Sequence, residues 1–123
     1  MATPNQYSLK LDISLLEDMA QVAVPGTSVS TMGALTESFY GVVSLAGSAS
    51  DVNVKLGTLT DPKFLSVYSS GDNVSLKIAS AGTSIAAYPF ACMGDVTNGL
   101  GISEIWLSNG DSSARTVEVL AGE

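Results

Sequence analysis

A chain of 123 residues is long enough to bury one core of ordinary size and too short for two. Twelve acidic side chains against five basic ones, a net charge of −7, exclude the basic stripe that a nucleic-acid backbone requires. The absence of histidine excludes Ser-His-Asp and Cys-His nucleophiles, and with a single cysteine it excludes a zinc site and any intrachain disulfide.

The first regular segment is Tyr7 to Leu15, where Tyr7, Leu9, Leu11, Ile13 and Leu15 alternate with polar residues; this period of two predicts a half-buried strand. Leu15 to Ala20 reads as an alternative helical turn, and Gln21 to Val24 as a short edge strand before the Pro25-Gly26 break. Met1 to Gln6 carries no strand pattern and reads as an N-terminal arm, and Ser28 to Gly33 as a small, polar loop. Leu35 to Leu45 reads as a long strand with Leu35, Phe39, Val43 and Leu45 on one face and Tyr40 and Val42 on the other; Gly41 marks a bulge.

Beyond residue 50 the rhythm tightens. Val52, Val54 and Leu56 form one alternating run, and Phe64 to Tyr68 and Val74 to Ile78 are read as the arms of a hairpin with a polar outer face. Ile85 to Phe90 and Ile102 to Ser108 follow as strands, the latter carrying Trp106. Asn109-Gly110 is expected to form a type I′ hairpin turn returning into Thr116 to Leu120, because both residues tolerate positive φ. Eight or nine short strands with no helix of three turns predict an all-β, antiparallel sandwich of jelly-roll type over residues 1–123, with a small barrel as the alternative.

Chemistry-bearing constellations are sparse. Asp12, Glu37, Glu104 and Glu118 lie in predicted strands as outward-facing polar positions, and paired-carboxylate chemistry is the weaker reading. The oxygen-rich segments at Asp51 to Asn53, Asp72-Asn73, Asp95 to Asn98 and Asn109 to Asp111 lack calcium-loop spacing and read as turns. Cys92, between Ala91 and Met93, reads as a buried small residue. No metal, cofactor or catalytic residue is expected. Charged residues make up only 14% of the chain, against about 25% in ordinary domains. This scarcity fits equally a protein-facing surface and a monomer covered by Ser, Thr, Gly and Asn; Trp106, Tyr88, Phe90, Tyr40 and Tyr68 are read as core residues or as the candidate interface anchors.

Four segments, Leu56 to Leu65 (LGTLTDPKFL), Asp72 to Lys77 (DNVSLK), Ile105 to Asn109 (IWLSN) and Arg115 to Glu123 (RTVEVLAGE), resemble small structural proteins of tailed bacteriophages. The resemblance covers residues 50–123 and encodes strands and turns, with no reactive group to carry over. The chain departs from it at Ser80 to Thr83, where a Pro-Gly turn is often found. It implies a virion component and leaves its position in the particle open; the leading expectation is a capsid decoration protein, with a tail or head-to-tail part as the alternative. Met1 to Gln6, lacking basic and apolar blocks, predicts synthesis in the host cytoplasm without a signal peptide. The partners would be a major capsid protein or other virion proteins and further copies of the chain, with neither nucleic acid nor membrane. From a different class, Trp106 and the tyrosines would serve a carbohydrate- or receptor-binding sandwich.

Overall fold

The computed structural model describes residues 5–9, 15–17, 20–23, 30–35, 37–95 and 97–123, the first four stretches as backbone. The chain divides into two compact units, Met1–Leu35 and Thr36–Glu123. In the first unit the strands among the described residues are β1 (Asn5–Leu9), β2 (Leu15–Glu17), β3 (Ala20–Ala23) and β4 (Ser30–Leu35); β1 pairs with β4 and β2 with β3, both antiparallel. The polar stretch expected to loop through Ser28 to Gly33 is therefore strand from Ser30 onward, with its small residues paired against Tyr7, Ser8 and Leu9. Asn5 and Gln6, expected in the arm, belong to β1. Of the alternating run from Tyr7 to Leu15, Tyr7 to Leu9 belong to β1 and Leu15 to β2, and its middle lies outside the described residues.

The second unit holds eight strands: β5 (Ser38–Leu45), β6 (Val52–Lys55), β7 (Phe64–Ser69), β8 (Val74–Lys77), β9 (Ile85–Ala86), β10 (Phe90–Gly94), β11 (Glu104–Asn109) and β12 (Arg115–Gly122). They form two four-stranded antiparallel sheets, ordered β10-β7-β12-β5 and β6-β11-β8-β9. Apart from the β8–β9 pair, each connection carries the chain from one sheet to the other. This winding is that of an eight-stranded jelly roll, closed by β12 between β5 and β7. Side chains from both sheets, among them Leu45, Leu65, Val67, Leu76, Ile105 and Val119, meet in one buried cluster. Each such side chain contributes about 1.5–3 kcal/mol on leaving water.

Two expected hairpins are inter-sheet corners instead. β7 and β8 lie in different sheets, and the buried Ser69 shapes the corner between them: its hydroxyl donates to the Gly71 carbonyl (2.7 Å) and accepts from the Gly71 N–H (3.3 Å). β11 and β12 likewise belong to different sheets, so Asn109-Gly110 is no type I′ turn; neither residue has positive φ. Asn109 is buried at the end of β11. Its amide nitrogen donates to the carbonyls of Ala46 (3.1 Å) and Ser113 (2.9 Å), and its amide oxygen accepts from Asp111 N–H (3.0 Å). One side chain thus ties the corner after β5 to the corner after β11.

Gly41 makes no bulge, for its pairing with Val119 sits in an unbroken register from Leu45 to Ser38. The constraint there is steric. A Cβ at this position would come within 2.8 Å of the Phe39 ring, which lies against the glycine.

Asn109→Ala removes three hydrogen bonds from a buried site and is expected to destabilise the domain by about 2–3 kcal/mol. Gly110→Ala, whose new Cβ would find only ordinary contact with Asn73, is expected to change stability by less than about 1 kcal/mol. Thermal unfolding of the two variants side by side checks the pair, and the reverse ranking would restore the hairpin turn.

Candidate docking face

The alternation that buries Phe39, Val43, Leu65, Val67, Val117 and Val119 on one side of the β10-β7-β12-β5 sheet turns the intervening residues outward. Register then sets their neighbours. One row across the sheet runs Phe90, Tyr68, Glu118, Val42, and the next runs Cys92, Ser66, Leu120, Tyr40. Adjacent strands lie about 4.8 Å apart, so these side chains fall on one area about 15 Å wide. Tyr40, Val42, Tyr68, Phe90 and Leu120 are between 41% and 60% exposed, and they are five of the eight exposed large hydrophobic side chains among the described residues.

Cys92 lies on this face, exposed, and its thiol donates to the Ser66 hydroxyl (3.4 Å). The expectation of a buried cysteine fails because its neighbours Ala91 and Met93 occupy the inward positions of β10. The charge on the face comes from Glu118, whose Oε1 accepts a hydrogen bond from the Tyr40 hydroxyl (2.7 Å). That bond, with lesser help from lost hydration and the carboxylate's charge, holds the Tyr40 hydroxyl above its ordinary ionisation value.

The opposite sheet has a different character. Trp106 is half-buried in the middle of β11, directly between Asn53 and Lys77. Around it lie the ion pairs Lys55–Glu104 (3.6 Å) and Lys77–Asp51 (3.1 Å). The five candidate anchors are therefore not one cluster. Tyr40, Tyr68 and Phe90 come together, exposed Tyr88 lies on the segment held beside β7 by the Ser69 N–H to Pro89 carbonyl bond (3.0 Å), and Trp106 faces away on the other sheet. Val42 and Leu120, which are not aromatic, complete the apolar area. Strand parity was the signal for them, since each sits opposite in phase to buried neighbours.

Glu104 and Glu118 are on different sheets and cannot form one carboxylate pair; Glu37 accepts from the Thr58 hydroxyl (2.9 Å), and Asp12 lies outside the described residues. The acidic turn residues are engaged locally. Asp95 Oδ1 accepts the N–H groups of Thr97 (3.2 Å) and Asn98 (3.0 Å), while Asp111 accepts from Ser113 N–H (2.8 Å) and meets Arg115 (3.3 Å), which also pairs with Asp72 (2.9 Å). No group of three His, Cys, Asp or Glu residues among the described residues has metal-binding proximity. A shallow cleft of about 320 Å³ between the corners is lined by small hydroxyl, amide and glycine residues, Ser48, Asn73, Ser108 and Asn109 among them. No helix among the described residues is long and apolar enough to cross a membrane.

No family model and no curated protein matches this chain. Among solved structures the chain is similar to the cupin domain of Schizosaccharomyces pombe Cnp3, at 8% identity and a TM-score of 0.46, over 94% of this chain and 83% of that one.

The backbone N–H of Asn98 holds the Asp95 carboxyl below its ordinary value of 3.8, and that of Ser113 does the same for Asp111, aided by Arg115; partial desolvation opposes both. Because these folded-state values are depressed, their stabilisation is present above the ordinary value and is lost as pH falls through the folded values. An Asp95→Asn/Asp111→Asn double variant is therefore expected to melt below the parent at pH 7, with the gap closing below pH 3.8. Melting curves across that range check it, and a gap independent of pH would contradict it.

Proposed function

We propose that this chain is a non-enzymatic structural protein of a tailed-phage virion, a capsid decoration protein that sits on the particle through the outer face of its β10-β7-β12-β5 sheet. The observation that carries this reading is the apolar area of Tyr40, Val42, Tyr68, Phe90 and Leu120, brought together on the outward side of one four-stranded sheet. Apolar patches on a sheet face suit subunit assembly, where modest contacts are multiplied by symmetry. Sugar recognition would instead set exposed rings beside Asn and Asp at loop tips. The resemblance of residues 50–123 to phage structural proteins supplies the virion setting, and the sparse charge agrees with a protein-facing surface.

Copy number per purified particle tests the role. Counting by quantitative mass spectrometry is expected to give on the order of hundreds of copies, as a shell lattice requires; roughly six to a few dozen would place the protein in the tail. Absence from particles together with measurable glycan binding would overturn both. The face itself is tested by Tyr68→Ser/Leu120→Ser, expected to keep the β-rich circular dichroism spectrum yet reduce occupancy on particles at least about tenfold, since central aromatic contacts typically contribute 2 kcal/mol or more. Lys55→Ala on the opposite sheet is expected to leave occupancy unchanged.

A further inference from the structure

The β5 strand ends its sheet, and no described strand pairs with its outer edge. The hydrogen-bond phase on its inner edge is fixed just before the strand begins, where Glu37 N–H donates to the Glu123 carbonyl (3.2 Å) and Glu123 N–H donates back to Glu37 (3.0 Å). In an antiparallel ladder such exchanging pairs recur at every second position. Phe39, Gly41, Val43 and Leu45 therefore bond to β12, and Ser38, Tyr40, Val42 and Ser44 turn their N–H and C=O groups toward the open edge.

Natural sheets blunt such edges with charge, proline, bulges or short length. Among the other outermost strands β6 carries Lys55, β9 has two residues and β10 five. β5 has eight residues, SFYGVVSL, with no charge, no proline and no break in register. Its sequence is also self-complementary about Gly41. Reversed upon itself with Gly41 opposite Gly41, it sets Ser38 against Ser44, Phe39 against Val43 and Tyr40 against Val42. This register matches all four edge-facing residues with edge-facing residues, as the ladder demands. It also gives a serine pair and aromatic with β-branched pairs, the combinations that favour adjacent strands.

We propose that β5 pairs antiparallel with β5 of a second copy about a two-fold axis through Gly41, joining the two β10-β7-β12-β5 sheets into one of eight strands. Electrostatics permits it despite the acidic chain. β5 itself is uncharged, and the two copies of Glu118, one strand further in on each side, are separated by three strand spacings, about 14 Å, which exceeds the screening length of about 8 Å at physiological salt. The paired sheet also makes the two apolar faces continuous. An edge contact about 27 Å long is small beside a standard interface, so the dimer is a weak one in free solution. The pairing stands independently of the virion reading, because it concerns the strand edge and needs no particle.

Sedimentation equilibrium of the full chain from about 1 μM to 1 mM is expected to show a monomer–dimer equilibrium. Val42→Pro deletes an N–H that faces the open edge and leaves the β12 ladder whole; it is expected to weaken dimerisation at least about tenfold. Val42→Lys, which places a charge at the same exposed position, is expected to do the same and covers the case in which the proline variant fails to fold. Ser38→Cys/Ser44→Cys on a Cys92→Ser background is expected, once oxidised, to give a covalent dimer whose peptide map joins position 38 of one copy to position 44 of the other. A chain that stays monomeric throughout would overturn the proposal, as would a dimer indifferent to both Val42 variants or a map showing only 38–38 or 44–44 links. An edge taken only by a strand of a different protein would overturn it equally.

Discussion

The pairing of β12 between β5 and β7 is the constraint on which the rest of this structure depends. Eight register positions on one side and six on the other place the C-terminal strand at the centre of its sheet. Val117, Val119 and Ala121 are thereby wholly buried, while Thr116, Glu118 and Leu120 are turned outward. A slip of one residue would reverse that assignment and drive Glu118 into the core, so the hydrophobic pattern locks the register strongly. The same lock fixes which backbone groups of β5 are spent and which are left for another strand.

The sandwich is chemically two-sided as a consequence. One outer face is apolar with a single tyrosine-bound carboxylate, and the other carries ion pairs around a half-buried tryptophan. Exposed ion pairs contribute little stability, but they keep a face hydrated and discourage association there. The apolar face and the open β5 edge adjoin, sharing Tyr40 and Val42. Attachment to a larger assembly and pairing between copies would thus draw on neighbouring surfaces that share the Tyr40 and Val42 side chains, while the outward backbone groups of β5 serve only the second.

The sequence made the layers legible and the connections illegible. Period-two alternation identified β5, β6, β7, β8, β11 and β12 and assigned Phe39, Val43 and Leu45 against Tyr40 and Val42, because burial on one face leaves a direct mark on residue type. It could not separate a hairpin from an inter-sheet corner, since Ser, Gly, Asn and Asp serve both. At Asn109 the decisive fact is a buried side chain bonding to Ala46, more than sixty positions away, which no local pattern encodes. The candidate face was legible only in part for a related reason. Tyr40, Tyr68 and Phe90 stand out by their chemistry, yet their meeting on one sheet depends on strand order, and that order also places Trp106 on the opposite side.

Residue-resolved hydrogen exchange along β5 tests most directly the claim that this edge is laddered on one side and open on the other. In dilute solution the amides of Phe39, Gly41, Val43 and Leu45 should be protected and those of Ser38, Tyr40, Val42 and Ser44 should exchange rapidly, the second set gaining protection as concentration rises. Equal protection of both sets at every concentration would contradict the account, because the edge would then already be covered within a single chain.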